Sequence, residues 1–291
     1  MSEPSWRQDR RRHFPGVPAW GLNTAHEEPE AVGLASLTID RHWAWGGADG
    51  SGVRVCVIDT GVDGTHPRVG GLDRSLVVTT SSRGEQMVVD CEPVDTAGHG
   101  TACASVIRSV APGVTLSSVR VLTNGKTGTG SALLSGLRWA IDEGYDLVNL
   151  SLSTTKAEFQ LVLRELSDRA YFRRSLLIAS AHNMPVQSFP WTFASVISVA
   201  SHDRPDPLTF YVNPAPPAEF YARGVKVPVA WSGGREIRST GNSFAAPHIT
   251  GICALILSKH PSLPPFLVKS ILCLTASNAT ASDAGGARVD I

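Results

Sequence analysis

Several features that would place the chain outside the ordinary globular class are missing. No apolar run approaches the roughly 20 residues needed to span a bilayer. Residues 1–20 carry arginines with no apolar stretch behind them, so they do not read as a secretory signal. Charge of one sign is not in excess either: 26 Lys and Arg balance 26 Asp and Glu over 291 residues. That balance argues against nucleic acid or an anionic membrane as the main partner. The cluster from Arg7 to Arg12 is short and sits in polar text, as a solvated tail would. Five cysteines are present, Cys56, Cys91, Cys103, Cys253 and Cys273. None forms a CxxC pair, so neither a zinc site nor a disulfide framework is indicated. Four of them lie in apolar segments and read as core thiols of a reducing cytoplasm; Cys91, on a polar stretch, is the one expected to be exposed. No loop offers a compact set of carboxylates for a hard cation, so no metal and no cofactor are predicted. No internal repeat is visible.

What remains is 42% hydrophobic and 18% charged, enough for one large α/β domain. Residues 1–18 read as a flexible N-terminal segment, 19–275 as the domain and 276–291 as a flexible tail. A short helix is expected around 37–45, with 27–36 a local insertion. Val53 to Ile58 is a continuous β-branched run, the mark of a strand buried on both faces. A variable, turn-rich region to Thr96 follows. Then come a small-residue helix over 101–110, a strand over 116–122 and a glycine-rich loop over 125–130. A helix over 131–143, a strand over 145–152 and an amphipathic helix over 157–173 come next. Strands over 176–181 and 195–200, a proline-rich loop over 205–217 and a strand over 225–231 follow. Helices over 244–259 and 264–275 close the pattern. This alternation predicts a single domain with a mostly parallel central sheet and helices on both faces.

The stretch Gly241-Asn242-Ser243-Phe244-Ala245-Ala246-Pro247-His248 stands at the head of a helix that is apolar or small on nearly every face, which predicts burial. Ser243 then sits at the positive end of a buried helix dipole. Alone it fits either a nucleophile or a capping serine. Pro247 is read as tolerated because it lies near the helix start. Asp59 ends the buried strand and His99 lies between two glycines at a helix start. In an open parallel sheet, sites form beyond the carboxyl ends of strands, so the three residues can converge. Their chemistry is complementary: imidazole takes the serine proton, and a carboxylate holds the imidazole tautomer.

The order Asp, His, Ser is that of a subtilisin-type triad. The segments Val57-Ile58-Asp59-Thr60-Gly61-Val62-Asp63 with His66-Pro67, Gly98-His99-Gly100-Thr101-Ala102-Cys103-Ala104, and the octapeptide around Ser243 resemble the three motifs of the subtilisin-like serine peptidases. The resemblance runs from about Trp20 to Leu274. It implies a subtilisin-like fold, with Asp59, His99 and Ser243 as catalytic residues and Asn183 as oxyanion donor beside the Ser243 N–H. It implies structural roles for His66 and His248. It also implies substrate-binding positions at Ser151, Leu152, Ser153 and His182 on one wall. Gly128 and Gly130, in an edge segment over 126–130, form the other. Departures accompany it. Ser153 and His182 stand where the family usually has glycine, which should narrow or re-polarise the primary pocket, or leave it unchanged at His182 if that ring points to solvent. Asn242 replaces a common threonine, and Phe244 a common methionine. The calcium-carrying insertion after the histidine motif is lacking, and about 50 residues before the first motif leave little room for an inhibitory pro-domain.

The reading is a serine endopeptidase with a narrow range, a cytoplasmic processing or maturation enzyme taking a polypeptide or precursor peptide in extended conformation. Neither nucleic acid nor membrane is expected as a partner. Alternatives are a peptide ligase or macrocyclase using the same acyl-enzyme, and an inactive binding module on the same fold.

Overall fold

Strand β1 (Arg54–Asp59) shows how the sequence places the sheet. Val55 and Val57 face one apolar cluster, and Cys56 and Ile58 face another on the opposite side. All four are fully buried, so each contributes about 1.5–3 kcal/mol if a typical aliphatic burial applies. This is the geometry of a central parallel strand with helices on both faces. The protein is described from a computed structural model, over residues 39–122, 128–215 and 217–279.

The remaining strands of the sheet are β2 (Arg74–Thr80), β3 (Gln86–Asp90), β4 (Thr115–Arg120), β5 (Leu147–Leu150), β6 (Leu176–Ser180), β7 (Val196–His202), β8 (Phe210–Val212) and β9 (Phe220–Arg223). They form a nine-stranded sheet in the order β3-β2-β4-β1-β5-β6-β7-β9-β8. Every pair is parallel except the outermost, β2–β3 and β8–β9. A separate antiparallel hairpin pairs β10 (Val227–Trp231) with β11 (Arg235–Ser239).

The helices are α1 (Arg41–Trp45), α2 (His99–Val110), α3 (Gly130–Asp142), α4 (Gln160–Phe172), α5 (Asn242–Lys259) and α6 (Pro265–Thr275). Helices α1, α2, α5 and α6 pack on the Val55/Val57 face, α3 and α4 on the other. Every residue of α5 from Phe244 to Leu257 is buried, as its unbroken apolar text predicts. No helix among the described residues is long and apolar enough to cross a membrane.

The structure departs from the sequence reading in several places. The turn-rich region before Thr96 contains the β2–β3 hairpin, and the proline-rich loop contains β8. Strand β9, and β11 as partner of β10, were also unread. In none of them do buried residues run on without a break, so they lack the signal that marks β1. Residues 276–279 are not loose. Ser277 N–H donates to Phe210 O at 2.7 Å, and Asn278 holds both backbone groups of Val212. They cover the free edge of β8, an edge that unpaired would invite association. Cys56, Cys103 and Cys253 are buried and Cys91 is partly exposed, as expected, but Cys273 is exposed rather than in the core. The boundary at 18/19, the insertion at 27–36 and residues 125–127 of the glycine-rich loop lie outside the described residues.

Candidate active site

Asp59 is the last residue of β1, between β4 and β5, where the chain leaves the sheet in opposite directions. A crevice opens at such a point beyond the strand ends. The carboxylate is fully buried. It accepts the Thr60 N–H at 2.7 Å, and His99 Nδ1–H lies 2.8 and 2.9 Å from its two oxygens. Burial and the paired oxygens hold the imidazole proton on Nδ1, which makes Nε2 the basic nitrogen of the ring.

His99 is brought there by the start of α2. Gly98 has a left-handed backbone (φ 86°), and a side chain there would meet the Trp231 ring at 2.7 Å. A side chain at Gly100 would collide with the Gly61 carbonyl and press on Asp59 Cβ. Both glycines therefore permit the close approach of helix to strand. Asp95 organises the same turn. Its Oδ1 accepts from Thr60 Oγ1, Ala97 N–H and Gly98 N–H, and its Oδ2 from Thr101 N–H and Oγ1. The sequence reading passed over Asp95; its position a few residues before a helix start, in a capping context, was the available signal.

Ser243 is the second residue of α5. Its N–H belongs to the first turn, where amides have no intrahelical partner. Pro247 is not tolerated for the reason read from the sequence. It lies in the second turn, and its missing N–H leaves the Ser243 carbonyl without its usual helical donor. Ser151 Oγ–H supplies that bond at 2.8 Å, with Cys103 Sγ at 3.5 Å. Ser243 Oγ–H in turn donates to Ser151 O at 3.2 Å. Serine and serine are thus joined twice, in opposite directions.

Asn183 follows β6. Its Oδ1 accepts the Asn242 N–H at 3.0 Å, which leaves the Nδ2 end for an incoming group. His99, Asn183 and Ser243 line one cleft of about 620 Å³ with Ser151, Leu152, Ser153, His182, Gly128 and Gly130. Gly130 is the first residue of α3 rather than part of an edge strand. At Gly128, two residues before it, a side chain would meet Val121 O at 2.6 Å. On the facing wall, Thr154 and Phe189 exchange both backbone hydrogen bonds at 2.9 Å. His182 has its ring turned to its own loop, with Nδ1 accepting the Met184 N–H at 3.0 Å.

The other motif histidines lie away from this pair. His66 Nε2 bonds Arg235 O, and His248 Nδ1–H donates to Phe244 O. Burial pushes His248 down to about 4, which keeps it neutral. Among the described residues, Asp59, His99 and Cys103 offer one ligand atom each within 4.8 Å of one another. The Asp59 oxygens and His99 Nδ1 are already engaged with each other, so the group is arranged to hold a proton.

The sequence profile of the Subtilase family matches residues 50–289. The chain belongs to the subtilase family. This subtilase is a subtilisin-like serine endopeptidase, a hydrolase. Subtilisin DY of Bacillus licheniformis is 30% identical over 247 residues, covering 80% of this chain and 86% of the relative. Thermitase of Thermoactinomyces vulgaris is 28% identical, covering 74% of this chain and 78% of the relative. A crystal structure of a cold adapted subtilisin-like serine proteinase matches with a TM-score of 0.64 and 26% identity. It covers 80% of this chain and 87% of that one.

Proposed function

We propose that this subtilase is a processing or maturation endopeptidase of narrow range that works in the cytoplasm through an Asp59–His99–Ser243 acyl-enzyme cycle. The observation that carries the mechanism is the buried Asp59–His99 pair opening on the same cleft as a serine at a helix N-terminus. A polypeptide lies extended between the Gly128–Gly130 segment and Ser151–Ser153. Ser243 Oγ attacks the scissile carbonyl carbon and gives its proton to His99 Nε2, while Asp59 stabilises the imidazolium. Asn183 Nδ2–H and the Ser243 N–H receive the oxyanion. His99 then protonates the leaving amine, the C–N bond breaks, and water repeats the sequence on the ester to release the acid and restore Ser243.

Two observations support the finer reading. The Ser153 side chain, on the cleft where the family's pattern has glycine, favours a restricted pocket. All five cysteines are free, which suits a reducing compartment. The test is a fluorophosphonate probe read by intact mass, on wild type beside Ser243→Ala, followed by a peptide library. One adduct on wild type and none on the variant is expected, then cutting of few sequences with one water added per cut. Broad cutting overturns the narrow range; products lacking the added water mean ligation instead.

A further inference from the structure

Three hydrogen bonds converge on Asn242, the residue before Ser243. Its backbone N–H donates to Asn183 Oδ1 at 3.0 Å. Its side-chain Oδ1 accepts the Ser201 N–H from β7 at 2.9 Å. Its Nδ2–H donates to the carbonyl of His182 at 3.3 Å. The side chain therefore bridges the carboxyl ends of two neighbouring strands, and one anchor is the peptide directly before Asn183. Asn183 is exposed, so packing does not fix it; its orientation depends on these tethers. Asparagine suits the position because a primary amide presents one acceptor and one donor end, one for each anchor. A threonine or serine hydroxyl would have to donate and accept through one oxygen on a shorter side chain.

We propose that Asn242 is a positioning residue that fixes the Asn183 amide for oxyanion stabilisation. The proposal rests on the reading of Asn183 Nδ2 as an oxyanion donor. The Asn242 side chain acts through the His182–Asn183 peptide, which it holds to β7. Oxyanion donors act at about 2.7–3.1 Å from the developing charge, and a misplacement on the order of 1 Å costs about 10²-fold. A partial loosening by loss of the tether is therefore expected to slow the chemical step and leave ground-state binding alone.

The test measures the maximal labelling rate (kinact) and half-saturating concentration (KI) of a fluorophosphonate probe. Wild type, Asn242→Ala, Asn242→Thr, Asn183→Ala and the Asn183→Ala/Asn242→Ala pair are compared, each well below its melting midpoint. Asn183→Ala should lower kinact by about 10²-fold or more, a magnitude known from subtilisin, a member of the same family. Asn242→Ala should lower kinact about tenfold with KI within about twofold of wild type. Asn242→Thr should behave alike, and it carries the cycle if Asn242→Ala does not fold. In the paired variant the two losses should not multiply, because both act through one amide. Independent multiplication, a wild-type kinact in Asn242→Ala, or a lowered melting midpoint with kinact unchanged would each overturn the proposal. A wild-type kinact in Asn183→Ala would instead sink the oxyanion reading beneath it.

Discussion

Asp59 and His99 are 0% and 7% exposed, one ending a buried strand and the other opening a buried helix. Across the cleft, Ser153, Thr154 and His182 are half-buried and Asn183 is exposed, all on connections after β5 and β6. The first wall is determined several times over: by sheet register, by glycine contacts and by the Asp95 turn. The second hangs from a few tethers, the Thr154–Phe189 pairing and the Asn242 amide among them. In the proposed mechanism proton transfer demands the fixed wall, whereas the side chains that would select substrate can change without disturbing the sheet.

The largest expected effects fall on Ser243 and on the buried wall behind it. Ser243→Ala should lower kcat by on the order of 10⁶ and abolish probe labelling, a magnitude taken from subtilisin, of the same family. Asp59→Asn should cost about 10⁴ in kcat by stabilising the wrong histidine tautomer, with folding intact by circular dichroism. If peptide kinetics find either loss below tenfold, the division between the walls fails. Gly100→Ala should destabilise by about 3 kcal/mol in urea titration, because the added methyl meets backbone that cannot move aside.

His248, beneath Ser243 in α5, gives the buried wall a pH signature. Its folded value of about 4 lies below the unfolded 6.5. The unfolded chain therefore takes up a proton first as pH falls. Stability from this group is complete above pH 6.5 and is lost between pH 6.5 and 4, by up to about 3 kcal/mol. The urea midpoint of wild type should fall over that window, and His248→Leu should flatten the slope. An unchanged slope in the variant would assign the acid sensitivity elsewhere. The smallest effect belongs to the selecting wall. Ser153→Gly with His182→Gly should raise kcat/KM for peptides with a bulky side chain before the scissile bond by about tenfold, leaving probe labelling within about twofold. A general collapse of activity would show that the two walls are not separable.

The β-branched run ending in Asp59, the glycines around His99 and the apolar helix behind Ser243 are strong local patterns, because full burial leaves few residue choices. They made the parallel centre of the sheet and the converging residues legible. The edges were not. Leu76 and Val78 are the only fully buried residues of β2, and β3 and β11 have none, so no clear period marks them. Cys273 was misjudged because α6 also carries Phe266 and Leu274 on its exposed side, which removes the contrast between its faces. Asn242 was legible only as a departure, since its partners at Ser201 and His182 are remote in sequence.

The paired serines carry one more consequence. In the proposed mechanism Ser151 opens the segment that reads the substrate, and Ser243 is the residue that attacks it. Each hydroxyl holds the other's carbonyl, and Pro247 is what leaves one of those carbonyls open to be held. The jaw that grips and the blade that cuts are thereby mounted on a common bracket. A peptide that seats badly against Ser151 disturbs the aim of Ser243 as well, so a poor fit is penalised in turnover and not in affinity alone.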